Sequence, residues 1–320
     1  MPRLHLVTSS AAALLCAAVA QADLATWTQP DLDRWNYPFN GTPGSRTTGS
    51  TFGALGSQPA FDELDAQILL GFDTAAKGVP TGQGAANYLV TSVTLTATTS
   101  GADTFTYDPT YDSAASYRTG GTDADTGRPV HLFATGFRGG RTTLDFVGGN
   151  AASGPGYEEG ESFGPAGPPA WQVRHAFAAD VATGSVRDVS NFVDFSNDGD
   201  AGFEPTPFAI GQSALTAGSS VPQNTTFTFD VNLADANTLA YIQHGLNSGQ
   251  LGFTLASLHP AAFGGAATYP SFWLDESGIP AIGGTPVTLA INYTVVPEPA
   301  TASIVAASLV VLALRRRRSA

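Results

Sequence analysis

The chain has 320 residues, with 14 Lys+Arg against 27 Asp+Glu and a formal charge of -13. Charged residues make up only 13%, about half the usual share, and the one lysine is Lys77. So acidic and cation-poor a chain excludes a nucleic-acid binder, because nothing on it could neutralise a phosphate backbone. Plentiful Thr, Gly, Phe and Val argue against a helical bundle.

At the N-terminus, Arg3 precedes an apolar run over 11–20 and then Ala20-Gln21-Ala22. Charge, short apolar stretch and small-x-small read as a secretory signal peptide over 1–22, cut before Asp23, with Ala20 and Ala22 marking the cleavage site. A spanning helix would need ~20 apolar residues. Cys16, the one cysteine, leaves with this segment. The mature chain then has no disulfide, thiolate nucleophile or thiolate metal site, which suits export from a bacterium.

The body over 23–295 reads as sheet. Leu89, Thr91, Val93, Leu95 and Ala97 alternate with Val90, Ser92, Thr94 and Thr96. Phe227, Phe229, Val231 and Leu233 repeat the pattern, as do Val287, Leu289, Ile291, Tyr293 and Val295. Shorter candidates lie at 68–72, 104–107, 130–137, 171–177 and 251–255. Each strand is expected to wet one face, as in an antiparallel sheet. One helix is expected, from the cap Asp235 through Leu239, Ile242 and Leu246 to a stop at Gly249. The fold predicted is mainly β, an antiparallel β-sandwich of jelly-roll type with one short helix. A signal helix precedes it and a C-terminal transmembrane helix follows. Long Gly-rich connections occupy 40–57 and 139–169, and a loop of the second length is usually functional or mobile.

Candidate chemistry is sparse. Asp194, Ser196, Asp198 and Asp200 alternate around Gly199 like the oxygen ligands of a Ca2+ loop. Glu204, however, is eleventh where an EF-hand needs its bidentate acid twelfth. An Asx-rich turn is the favoured reading; a Ca2+ site of another type is the alternative, and no other cofactor is expected. Asp123, Asp125 and Gly127 form a smaller acidic turn. Gly160-Glu161-Ser162-Phe163-Gly164 fits the G-x-S-x-G elbow of serine hydrolases, but the following Pro165-Ala166-Gly167-Pro168-Pro169 forbids the helix that the elbow requires. Glu158-Glu159 and Asp62-Glu63-Asp65 are candidate carboxylate pairs for glycoside hydrolysis, more simply read as solvated edges. Histidines 131, 175, 244 and 259 show no metal-ligand spacing. Trp27, Trp35 and Tyr37 are candidate sugar platforms or core.

The tail carries the most specific motif: Val296-Pro297-Glu298-Pro299, an apolar stretch over 300–314, then Arg315-Arg316-Arg317-Arg318. Prolines stop the last strand, and the apolar run would make a short membrane helix whose arginines stay in the cytoplasm. This tail, 296–320, resembles the PEP-CTERM sorting signal of exosortase substrates. The resemblance implies that Pro297, Glu298 and Pro299 are recognised by an exosortase-type processing enzyme. The inner membrane would hold the chain through the tail until processing, with release to the cell surface or matrix. Separately, Gln67-Ile68-Leu69-Leu70-Gly71-Phe72-Asp73 with Gly78-Val79-Pro80, and Phe272-Trp273-Leu274-Asp275-Glu276-Ser277 before the last strand, are similar to the opening and closing of DNRLRE-type jelly-roll surface domains. That resemblance implies fold and setting only. The expected role is a non-catalytic surface or matrix protein associated with extracellular polysaccharide. A Ca2+-dependent carbohydrate-binding module and a secreted hydrolase are the alternatives.

Overall fold

Strands that alternate cleanly along the sequence and strands that do not belong to two different sheets. In the computed structural model the described residues are 22–54, 65–113, 125–148, 154–163, 174–189, 203–261, 268–278 and 282–296. Outside them lie Ala20, Asp62, Glu63, Asp123, Trp171, the Asp194, Ser196, Asp198 and Asp200 segment, Pro297, Glu298, Pro299 and Arg315 to Arg318.

In chain order the strands begin with β1 (Asp23–Trp27), β2 (Leu32–Asn36), β3 (Thr48–Ser50), β4 (Gly53–Ala54) and β5 (Gln67–Asp73). Next come β6 (Tyr88–Thr98), β7 (Val130–Phe137), β8 (Thr143–Asp145), β9 (Gly156–Glu158), β10 (Ala176–Asp180) and β11 (Arg187–Asp188). The last are β12 (Ala209–Ile210), β13 (Thr226–Asp230), β14 (Gln250–Ser257), β15 (Pro260–Ala261), β16 (Ser271–Trp273) and β17 (Thr288–Val295). Among the described residues there is one α-helix, α1 (Ala236–Ser248). The chain is thus mainly β with antiparallel main sheets. One has the order β1-β17-β6-β13; the other runs β11-β10-β7-β14-β5-β2, with β12 also on β7.

In the four-stranded sheet the alternation is honoured. Phe227 and Phe229 of β13 are buried while Thr226 and Asp230 are exposed. Strand β6 departs from it. Asn292 pairs with Ser92 but Tyr293 pairs with Val90, so Thr91 is an extra residue, a β-bulge that reverses which side faces inward. Val90 is therefore buried and Leu89 is 58% exposed, the reverse of the uninterrupted pattern expected from the sequence.

The larger sheet corrects the one-wet-face expectation. Strands β5, β7, β10 and β14 are buried at nearly every position, as their unbroken apolar runs require. One face joins the main core, which takes Ile68, Leu70, Leu132 and Phe253 from this sheet and Val93, Leu95, Phe229 and Ile291 from the other. Trp27 meets Phe72 edge-on across the two sheets at 5.7 Å. The other face is covered by Leu144 and Tyr157, which pack on Leu32, Leu69 and Ala176. Residues 104–107, expected as a strand, make one isolated bridge from Thr106 to Ser220, although Phe105 and Tyr107 are core.

Helix α1 starts where expected: the Asp235 side chain accepts from the Thr238 backbone N–H at 2.7 Å, an N-cap. It runs to Ser248 and ends at Gly249, whose φ of 90° suits a left-handed cap. The Tyr241 hydroxyl donates to Gly252 O at 2.6 Å and accepts from Thr135 N at 3.1 Å. It thereby stitches β7 to β14 where their ladder ends, and burial pushes its pKa up to about 12.

Because Phe72 is fully buried between Trp27 and Phe253, Phe72→Ala is expected to cost about 3–5 kcal/mol. Urea denaturation measures this, with an unchanged m-value expected.

Candidate functional site

Strand β2 reads Leu32-Asp33-Arg34-Trp35-Asn36, and both charges are fully buried. Successive side chains of a strand point to opposite faces, so the two cannot pair with each other.

Arg34 lies opposite Leu69, on the side of the smaller core. Its Nη1 donates to the carbonyl oxygens of Glu158 at 3.3 Å, Glu159 at 3.1 Å and Glu161 at 2.8 Å. The guanidinium sits 4.8 Å from the centroids of both the Tyr157 and Phe163 rings, a cation–π arrangement. Burial pulls its pKa below the ordinary value. Arg34 thus fixes the backbone that carries Glu159.

Asp33 points the other way. Its Oδ2 accepts from the Asp275 backbone N–H at 2.7 Å, while Oδ1 has no hydrogen-bond partner among the described residues. Asp33, Glu159, Asp275 and Glu276 each present a carboxylate oxygen, and the four lie within 4.8 Å of one another. At that spacing a like-charged pair costs roughly 3–4 kcal/mol at an effective dielectric of ~20. Burial, reinforced by Asp275, Glu276 and Glu159, holds Asp33 well above the usual carboxylate range. Burial and then Asp275 raise Glu159 to about 7, against the pull of Arg34. Burial and a hydrogen bond with Asp275 raise Glu276 to about 8. Such a group can share protons or hold a cation. Four carboxylates without sulfur or imidazole form a set for a hard ion.

In a second acidic group, Asp108, Asp112 and Asp125, each carboxylate has a partner, although the buried Oδ2 of Asp108 has none among the described residues. Arg128 pairs with Asp112 at 2.7 Å. Thr110 gives its backbone N–H and hydroxyl to Asp108 Oδ1, and the hydroxyl also lies 2.8 Å from Asp125 Oδ2.

Of the residues singled out in the sequence, the adjacent acids Glu158 and Glu159 divide. Only Glu159 enters the cluster. Asp65 is ion-paired to Arg174 and bonded to Gln67. Ser162 is exposed, and neighbouring Glu161 accepts from Arg141 and contacts His175 Nδ1 at 2.9 Å. No hydrogen bond joins Ser162 to His175 among the described residues. Trp27 is core. Trp35 and Tyr37 instead form a half-buried aromatic row: Trp35 to Tyr37 at 5.1 Å, Tyr37 to Phe39 at 5.5 Å and Tyr37 to Phe52 at 5.4 Å, with Tyr269 on Phe52 at 4.6 Å. Phe39, at its outer end, is 55% exposed. Asp33 carries no local motif, and the stretch singled out around Asp275 and Glu276 implied fold and setting only. The available signal was an adjacent opposite-charge pair flanked by Leu32 and Trp35.

His131 and His259 are buried, and burial lowers them to about 4 and about 3, with Arg128 and His131 adding to the effect on His259. The fold therefore holds them neutral, whereas the unfolded chain protonates them near 6.5. Their contribution to stability is complete above that pH and is lost as pH falls toward 4 and 3. Because the raised carboxylates of the acidic group change stability in the opposite sense over this range, the histidine contribution is read by difference: His259→Leu should gain urea midpoint relative to the unsubstituted chain as pH falls from 7.5 to 4. Arg34→Ala leaves three carbonyls without their donor and should cost about 2–4 kcal/mol; proteolysis within 154–163 should accelerate in parallel.

The chain matches no family model, no curated protein and no solved structure.

Proposed function

We propose that this chain is an exported, non-catalytic protein of the cell surface or extracellular matrix, delivered by a PEP-CTERM-type tail. The observation that carries this reading is the ordered tail: Pro297-Glu298-Pro299, the apolar stretch over 300–314, and Arg315 to Arg318, paired with a signal-like N-terminus. In this reading an exosortase-type enzyme recognises the Pro-Glu-Pro element, and the apolar helix and arginines hold the chain in the inner membrane until it is processed. The two main sheets then stack as one sandwich of jelly-roll type around the shared core. Such a body suits display, because its stability rests on burial and on no redox state of a thiol.

Extracellular polysaccharide is the proposed partner. The row of Trp35, Tyr37 and Phe39 supports it, since aromatic faces at these spacings offer successive sugar rings an apolar platform. The acidic surface would favour neutral glycans over anionic ones unless a divalent cation bridges the charges.

Mass spectrometry of the protein recovered from its native host tests the delivery step. A chain starting at Asp23 and ending near Pro299 is expected in the extracellular fraction; an intact chain with all four terminal arginines in the cytoplasm would overturn the proposal. For the partner, Tyr37→Ala with Phe39→Ala should weaken retention on immobilised neutral polysaccharide at least tenfold while the melting temperature changes little. The alternative of a hydrolase needs Ser162 or Glu158-Glu159, so a glycosidase or esterase activity abolished by Ser162→Ala or Glu158→Gln would replace this reading.

A further inference from the structure

We propose that Asp33, Glu159, Asp275 and Glu276 form a Ca2+ site that ties the edge strand β2 to the 154–163 segment and to the turn after β16. The proposal is independent of export and of the glycan partner.

Three observations converge on it. Each of the four side chains offers an oxygen, and these oxygens lie within 4.8 Å of one another, close enough to share one ion with ligand distances of ~2.3–2.6 Å. Asp33 forms the floor of the group and is fully enclosed. Its Oδ1 is nonetheless without a hydrogen-bond partner among the described residues, as is the buried Oε2 of Glu276. Buried carboxylate oxygens are normally bonded, paired or metal-bound. Three other buried acids each have a cation, while buried Asp108 and Asp180 accept hydrogen bonds instead. Asp65 has Arg174, Asp112 has Arg128, and Glu161 has Arg141. Among the described residues the guanidinium near this group, that of Arg34, spends its Nη1 on the backbone carbonyls of the segment bearing Glu159.

Ligand chemistry selects the ion. An all-carboxylate set excludes the softer metals. Four carboxylates binding through one or two oxygens each supply the six to eight ligands that Ca2+ takes, whereas Mg2+ prefers to keep most of its waters in a strict octahedron. Glu159, Asp275 and Glu276 are only partly buried, so the ion enters from solvent and rests on Asp33.

The test uses the full chain passed over a chelating resin and titrated with CaCl2 at neutral pH, by calorimetry and by thermal melting. Binding is expected to raise the melting temperature by several degrees once free Ca2+ exceeds its dissociation constant a hundredfold. Glu159→Gln and Glu276→Gln, at the partly exposed rim, should each weaken Ca2+ at least tenfold and abolish most of the thermal shift. Asp198→Asn, in the separate acidic segment of the sequence, should leave both readouts unchanged. Asp33→Asn is the strongest variant, and circular dichroism establishes whether it folds before it is read. Absence of any heat or thermal shift with the wild-type chain overturns the proposal. So does a Ca2+ response that survives Glu159→Gln with Glu276→Gln, or one lost in Asp198→Asn alone. An equal or larger shift from MgCl2 at the same concentration overturns the choice of Ca2+.

Discussion

Two opposite charges placed side by side in one β-strand cannot neutralise each other, because the pleat turns their side chains to opposite faces. Asp33 and Arg34 are such a pair, both fully enclosed, and each has to find its compensation in a different part of the chain. Arg34 recruits three carbonyls and two aromatic rings from β9 and the residues just after it. Asp33 recruits the backbone of Asp275. The long glycine-rich connection is held against the sheet by the first demand, and the turn after β16 is held at the sheet edge by the second. Fixing Glu159 through its own backbone brings the fourth carboxylate into the group. The cluster is therefore a by-product of how one strand settles its charges.

Much of the sheet was legible in the sequence because period two is a local signal. It located β6, β13 and β17, and the Asp235 cap located the start of α1. The pattern misled where tertiary context decided the outcome. The two-faced burial of β5, β7 and β14 depends on a covering segment more than 60 positions away from β5 along the chain, which no window of a few residues records. The bulge at Thr91 depends on what β17 presents opposite. The cluster was harder still. Asp33 and Asp275 are 242 positions apart, and each looks like an ordinary surface acid in its own neighbourhood. Only the full burial of Asp33 was anomalous, and burial is not written in the sequence.

The aromatic row and the carboxylate group share this strand. Asp33 and Trp35 are two residues apart and so lie on the same face of β2, while Trp35 Nε1 is anchored on Ser50 O at 2.9 Å and β3 pairs with β16, which leads directly into Asp275. Whatever rigidifies one end of this edge therefore acts on the other through a single extended backbone. This gives the edge of the larger sheet a concentration of polar and aromatic function that the four-stranded sheet, with its rows of threonines, does not have.

The pairing of β1 with β17, in which Asp23 meets Tyr293 and Trp27 meets Leu289, also sets an order of events. The earliest strand of the body has its hydrogen-bonding partner almost at the far end of the chain, with β17 lying between it and β6. As the polypeptide is synthesised from its N-terminus, residues 23–27 emerge first yet have no ladder to join until 288–295 have followed. Closure of that sheet consequently waits until nearly the whole body has been made. Until then the loop to be closed spans nearly the whole body, and its entropy must be met before the last contacts repay it.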